Sequence, residues 1–281
     1  MAVRKNRLAT PFLKWVGGKR QILSSIAELL PKDINKLHYA EPFIGGGAVL
    51  FHLQPKNAII NDSNEELINV YKVIKNNHLE LINDLKSHVN SSEYFYKIRS
   101  LDRSKDYSKL TDVKRASRIL YLNKTCFNGL YRVNNAGEFN APFGYYKNPN
   151  IVNEPTLKAV NKFLNNNNIV IKSGDYEELL GLFNKKTFVY MDPPYHPISN
   201  NSNFTGYVQG GWDIYDQIRL RDFCDKLDGL GIKFLLSNSS APFIKQIYEN
   251  YKITTVKAKR AINSIGSERG QIDEVLIRNY E

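Results

Sequence analysis

"LHYAEPFIGGGAVLFHL", Leu37–Leu53, decides the architecture. An apolar run ends on Glu41 and Pro42, Gly45, Gly46 and Gly47 follow almost at once, and "AVLFHL" then continues with helical spacing. Strand, glycine turn and helix in that order open a βαβ unit, because glycine lets the chain reverse tightly and lets a ligand approach backbone. The next run, "AIIND", ends on Asp62 before the helical pattern "NEELINVYKVI" and supplies the second strand. The dinucleotide fingerprint G-x-G-x-x-G fails, since Leu50 stands where the third glycine belongs. Asp62 at a strand end can still accept hydrogen bonds from both hydroxyls of a ribose. A glycine turn with an acidic cap and no ligand is the plainer reading of the pair.

Outward from this unit the alternation resumes after residue 168. "IVIKSGD" reads as a strand running to Asp175, followed by a helix near "YEELLGLF", the strand "FVYMD" and the helix "IRLRDFCDKLDGL". "KFLLSNS", the helix "PFIKQIYENY" and a last strand "EVLIRNYE" complete the series. Strands alternating with helices imply an α/β fold with a mainly parallel sheet covered on both faces. Residues 77–165 break the pattern: they read as helical and polar, with a β-hairpin over "LYRVNNAGEFNAPF" that turns at Asn134–Gly137. The organisation is therefore a sheet domain of residues 1–76 and 166–281 interrupted by an insertion over 77–165. "NNNN" at Asn165–Asn168 reads as a solvated loop.

With 42% hydrophobic and 24% charged residues among 281, the composition is that of a soluble globular protein, and no apolar run approaches the ~18 residues of a membrane span. The N-terminus lacks the apolar core of a secretory signal. Cys126 and Cys224 form neither a disulfide framework nor a zinc pattern, and the histidines are scattered, so no metal site is expected and the cytoplasm is the expected compartment. The net charge of +11 points to a polyanionic partner, most simply nucleic acid. From Lys86 to Lys147 twelve Lys and Arg face five acids, which concentrates the positive charge in the insertion.

Two stretches bear on chemistry. "VYMDPPYHP", Val189–Pro197, is apolar to Met191 and then changes character. If "FVYM" is a central parallel strand, Asp192 emerges at the ligand crevice of the sheet. Pro193 and Pro194 offer carbonyls without competing N–H groups, and Tyr195 adds a flat face. A carboxylate, a bare carbonyl and an aromatic plane suit the exocyclic amino group of a planar base, although Asp-Pro-Pro can also simply end a strand. "KWVGGKRQ" fails as a phosphate loop, having Leu13 in place of glycine and Arg20 in place of a hydroxyl. It retains Trp15, which can stack, and Lys14 and Lys19 around a glycine pair.

Taken in order, "PFLKWVGGKRQIL", "EPFIGGGAVLF", "IIND", "SGD" and "FVYMDPPY" resemble the Dam-type DNA adenine-N6 methyltransferases of the alpha arrangement, those modifying GATC above all. "FNGLYRVN", "FNAPFGYYKNP" and "LSNS" extend the resemblance over most of the chain. It implies an S-adenosylmethionine-dependent, Rossmann-like methyltransferase fold with a seven-stranded, mainly parallel sheet and a DNA-recognition insertion. It also implies site residues. Trp15 and Lys19 would lie against the cofactor, Phe43, Gly45 and Gly47 would form its glycine turn, and Asp62 would bind the ribose. Asp175 would bind the cofactor's adenine amino group, Tyr176 would flank that ring, and Asp192 would face both cofactor and substrate together with Pro193, Pro194 and Tyr195. Lys14, Leu130, Arg132 and Pro142, with Asn128 nearby, would touch the DNA target, whereas Tyr145 stands where close relatives vary.

The expected reaction takes an adenine out of duplex DNA, stacks it on Tyr195 and binds its amino group to Asp192 and the Pro193 carbonyl. No cysteine nucleophile is needed. Arg132 can read a guanine with two hydrogen bonds, worth about 1–3 kcal/mol of discrimination, and the surrounding lysines would touch phosphate. The expected partner is double-stranded DNA, with a cognate restriction endonuclease acting on the same site without a stable complex, and the enzyme is expected to be a monomer in the bacterial cytoplasm or nucleoid. Two other readings stay open: an N4-cytosine methyltransferase, whose family usually has serine in place of Asp192, and a catalytically silent DNA-binding protein on the same fold.

Overall fold

The computed structural model describes residues 5–198, 211–259 and 271–281. A seven-stranded sheet runs through the molecule in the order β3-β2-β1-β4-β5-β7-β6. Its strands are β1 (His38–Glu41), β2 (Asn57–Ile60), β3 (Asn168–Ile171), β4 (Thr187–Met191), β5 (Lys233–Ser239), β6 (Lys252–Lys259) and β7 (Gln271–Arg278). The first five pair in parallel, and β7 pairs antiparallel with both β5 and β6. β1 sits between β2 and β4, so the chain turns one way from β1 and the other way from β4. That reversal makes the β1/β4 junction the topological switch point, where ligands of open α/β sheets bind.

The helices are α1 (Leu23–Leu29), α2 (Ala48–Leu53), α3 (Glu65–Asn76), α4 (His78–Lys86), α5 (Ser92–Arg99), α6 (Asp112–Thr125), α7 (Glu154–Asn166), α8 (Ile214–Gly229) and α9 (Pro242–Ile247). Their starts follow from local chemistry. Asn64, Ser91 and Thr111 cap α3, α5 and α6 by accepting backbone N–H bonds, and Asp213 with Asp216 forms a reciprocal capping box on α8. Every residue of β4 is buried, as a central strand requires, and the Tyr190 hydroxyl is satisfied by Ser237 Oγ at 2.8 Å. One continuous buried cluster joins the sheet's β1–β3 side to the insertion, from Tyr39 and Ile60 through Tyr71 to Ile119, Tyr121, Phe139 and Phe143. No helix among the described residues is long and apolar enough to cross a membrane.

Several elements differ from the sequence expectation. β3 ends at Ile171 rather than Asp175, and the stretch after it is a 3-10 helix, Tyr176–Leu182, capped by Asp175. The asparagine tract is not a loop: Asn165 and Asn166 finish α7, and Asn168 opens β3. Its amides serve two helix ends, Asn165 donating to the Lys75 carbonyl at the end of α3 and Asn167 to that of Phe163 in the last turn of α7, each at 2.8 Å. β6 was not anticipated, because "KITTVKAK" has the polar alternation of an edge strand. The hairpin does turn at Asn134–Gly137, but its ladder is reduced to two isolated bridges, Cys126 with Phe143 and Val133 with Phe139.

Candidate active site

Beyond β1 the chain forms the glycine turn, with Gly45 and Gly47 at φ values of +46° and +70°. A Cβ on Gly45 would lie 2.9 Å from Trp15 Cδ1, and one on Gly47 only 2.6 Å from the Tyr71 hydroxyl oxygen. Both positions thus require glycine for space as well as for conformation. The Tyr71 hydroxyl donates to the Gly45 carbonyl at 3.0 Å. Asp62, just past β2, accepts the Gly45 and Asn64 N–H groups, both at 3.0 Å. Burial pushes its carboxyl up to about 6 against the pull of those two donors. Between them, the Asn61 side chain donates to the Pro42 and Gly174 carbonyls and ties the ends of three strands together.

Asp175 and Tyr176 arrive on the same edge. Asp175 caps its 3-10 helix through the Glu177 N–H at 2.9 Å and receives Arg219 Nη2 at 2.7 Å. That guanidinium lies 5.0 Å from the centre of the Tyr176 ring, and Phe43 packs on the same ring with centroids 5.1 Å apart. Trp212 meets both Phe43 and Tyr176. The Tyr176 hydroxyl is buried and finds no hydrogen-bond partner among the described residues. An acid just past β2, a second acid capping the 3-10 helix after β3, a glycine turn without side chains and an aromatic wall holding an unsatisfied hydroxyl fit an adenosine-bearing group.

Across the switch point Asp192 leaves β4. Lys19 Nζ approaches its Oδ1 at 2.9 Å and Ser237 Oγ donates at 3.3 Å. Burial pushes the Asp192 carboxyl up to about 6, Lys19 pulls the other way, and nearby Glu274 adds to the rise. Lys19 is itself only 5% exposed, donates to the Gly17 carbonyl at 2.6 Å and stands 4.5 Å from the Tyr195 ring centre. It therefore reaches the Asp192–Tyr195 stretch, while Trp15 covers Gly45 and Gly46 and stacks on Tyr131 of the insertion with centroids 4.8 Å apart. The Tyr195 hydroxyl donates to Glu274 at 2.8 Å, and the Pro194 carbonyl accepts from Gln217 at 2.9 Å. Pro193 is buried beside them.

The residues expected at DNA form a connected group near the root of the hairpin. The Lys14 backbone exchanges hydrogen bonds with the Asn123 side chain at 2.9 and 2.8 Å, and the same amide holds the Gly129 carbonyl. Asn128 takes φ +59°, Leu130 is half-buried, and Arg132 and Pro142 are exposed. Arg132 Nε donates to Asn140 Oδ1 at 2.7 Å, and the Pro142 carbonyl accepts the Phe127 N–H at 2.8 Å. Tyr145 is 76% exposed with φ +53°.

Sequence reasoning missed Arg219, Glu274, Gln217, Asn238 and Tyr131. Only Asn238 carried a signal, as a polar residue inside the otherwise buried run "KFLLSNS". The rest join the site through contacts between distant segments.

A family model described as D12 class N6 adenine-specific DNA methyltransferase matches residues 15–262. The chain is 45% identical over 281 residues to a protein named type II methyltransferase M1.LlaDCHI from Lactococcus lactis subsp. cremoris, covering 99% of this chain and 98% of the relative. It is 46% identical over 288 residues to type II methyltransferase M.MjaIII of Methanocaldococcus jannaschii, with 96% and 99% covered. It is also 32% identical over 279 residues to the DNA adenine methylase of Escherichia coli strain K12, with 98% and 95% covered. Methyltransferases of this kind imply S-adenosylmethionine as methyl donor and double-stranded DNA as substrate. Strand order, glycine turn and the acid after β4 agree with these matches, and the chain belongs to the D12 class of N6 adenine-specific DNA methyltransferases.

Proposed function

We propose that this enzyme methylates N6 of an adenine turned out of double-stranded DNA, within GATC, and that its cofactor lies along the C-terminal edge of β1, β2 and β3. One observation carries the reading: the Asp192–Tyr195 stretch and the Gly45–Gly47 turn issue from neighbouring parallel strands at the switch point. S-adenosylmethionine, when bound, supplies a methyl group activated by its sulfonium. Tyr176 would flank the cofactor's adenine and Phe43 would belong to its glycine turn, with Asp175 accepting the adenine amino group and Asp62 the ribose hydroxyls. A carboxylate has about four acceptor sites, so the backbone bonds that Asp62 and Asp175 already make leave room for this role.

Asp192 and the Pro193 carbonyl accept the two protons of the target amino group while the base stacks on Tyr195. Drawing both protons toward fixed acceptors takes the nitrogen lone pair out of conjugation and makes it available for in-line attack. Lys19 keeps Asp192 oriented and partly offsets the cost of its burial. The residue 77–165 insertion reads the target, with Arg132 on guanine and Lys14, Asn128, Leu130 and Pro142 beside it. The GATC assignment rests on the resemblance in this segment. We place the enzyme as a monomer in the bacterial cytoplasm or nucleoid, sharing its site with a restriction endonuclease without forming a stable complex.

Mapping modified bases in DNA from a host expressing this protein tests the reading. N6-methyladenine confined to GATC is the expected result. Another site would overturn the specificity, and N4-methylcytosine would overturn the target base.

A further inference from the structure

Two amides lie buried behind the Asp192–Tyr195 stretch. Gln217, in the first turn of α8, and Asn238, near the end of β5, are both 0% exposed. Gln217 Nε2 donates to the Pro194 carbonyl at 2.9 Å and Asn238 Nδ2 donates to Gln217 Oε1 at 3.0 Å. Asn238 Oδ1 accepts the N–H groups of His196 at 3.2 Å and Ser239 at 2.8 Å. Backbone N–H groups only donate, so the Asn238 oxygen must face them. Its NH2 is thereby turned to Gln217, whose own NH2 is turned to Pro194. The direction of this relay is dictated by the backbone it holds.

Its two ends grip consecutive peptide groups: the Pro194 carbonyl belongs to the peptide before Tyr195, and the His196 N–H to the peptide after it. Pro193 and Pro194 have no N–H, so the stretch offers few other handles. Glu274, opposite Ser239 in the β5–β7 register, holds the Tyr195 hydroxyl at 2.8 Å. Tyr195 is thus fixed at both peptides and at its ring tip.

We propose that Gln217 and Asn238 are positioning residues for methyl transfer, fixing the backbone of Tyr195 so that its ring and the acceptors beside it meet the target base in one geometry. This rests on the reading of Asp192–Tyr195 as the reacting site. A misplacement of about 1 Å at a reacting centre can lower a rate about 100-fold. Gln217→Leu keeps the volume and removes both hydrogen bonds. Gln217→Glu adds a pH signature: its carboxylate can accept from Asn238 but cannot donate to Pro194, whereas the neutral acid can do both.

The test measures single-turnover transfer, DNA affinity and thermal midpoint for both variants, with Asp192→Ala in parallel. We expect Gln217→Leu to slow transfer about 10- to 100-fold while DNA affinity stays within about threefold. The rate of Gln217→Glu relative to wild type should rise about tenfold from about pH 8 to pH 6; the ratio cancels the titration of Asp192 common to both. A Gln217→Leu rate within about threefold of wild type, a loss confined to DNA affinity, or a Gln217→Glu ratio that falls from about pH 8 to pH 6 overturns the inference. If Asp192→Ala abolishes transfer while Gln217→Leu does not, this inference alone fails. If Asp192→Ala transfers normally, the site reading fails and takes this inference with it.

Discussion

The sheet and the insertion share one core but are held together differently. In the sheet, backbone ladders and buried apolar strands do the holding, and polar side chains gather at strand ends where the site forms. In the insertion, side chains hold the backbone. Arg118, 2% exposed, donates to the Ile98 and Arg99 carbonyls and pairs with Asp102 at 2.7 Å. Asp102 in turn accepts the Phe139 N–H, and Arg99 and Arg103 reach the Ala141 and Phe139 carbonyls. Arg115 pairs with Glu66 and Lys114 with Asp84. Much of the positive charge that marks this segment in the sequence is therefore internal bracing. The hairpin can therefore vary in its exposed residues without disturbing the strands, provided the braces remain.

Removing a brace gives the largest expected effect. Arg118→Met removes two hydrogen bonds to backbone carbonyls and one of the two guanidinium partners of Asp102, which keeps Arg103 and the Phe139 N–H, and should lower stability by about 2–4 kcal/mol in urea unfolding. A loss within about 0.5 kcal/mol would mean that the insertion is held by its apolar core alone. The sheet side is probed by pH. With the Asp192 carboxyl raised to about 6, protonation below that point removes an acceptor, so transfer should fall about tenfold per unit as pH drops. The sign is acid inactivation with a plateau above, read from single-turnover rates, and a flat profile down to pH ~5 would remove Asp192 from the reacting state.

Smaller effects separate recognition from bracing. Arg132, exposed and held at Asn140, should cost about 1–3 kcal/mol of discrimination when changed to Ala, with stability unchanged, as scored by methylation of substituted sites. Exposed Lys147→Ala should weaken all DNA alike and reduce the salt slope of binding by about 1. Equal loss of discrimination in both variants would erase the distinction between a reader and a phosphate contact.

Much of this was legible in the chain. β1, the glycine turn, α2 and β2 follow from apolar runs with turn residues at short spacing, and the acid after β4 from the sharp end of its strand. β6 was not, because an edge strand buries one face and keeps polar residues on the other. The 3-10 turn after Asp175 reads as an ordinary helix in the sequence, since "YEELLGLF" has apolar spacing compatible with either. The Gln217–Asn238 relay and the Arg219–Asp175 pair were illegible for a different reason. Their partners lie 21 and 44 residues apart and meet only once the strand ends converge. Local pattern carries no trace of such meetings.

The strand order also sets a schedule for synthesis. β1 finds β2 across one short helical connection, the glycine turn and α2, but its other neighbour is β4, with Tyr39 opposite Phe188. Until the ribosome has released residues past Met191, β1 presents an unpaired edge, and closing that gap requires ordering a very long loop. The insertion, emerging first and rich in helices, can shorten the loop by folding before the strand arrives. Assembly of the site at the β1/β4 junction is thus a late event, and a truncated chain would carry an exposed strand edge instead of an enzyme.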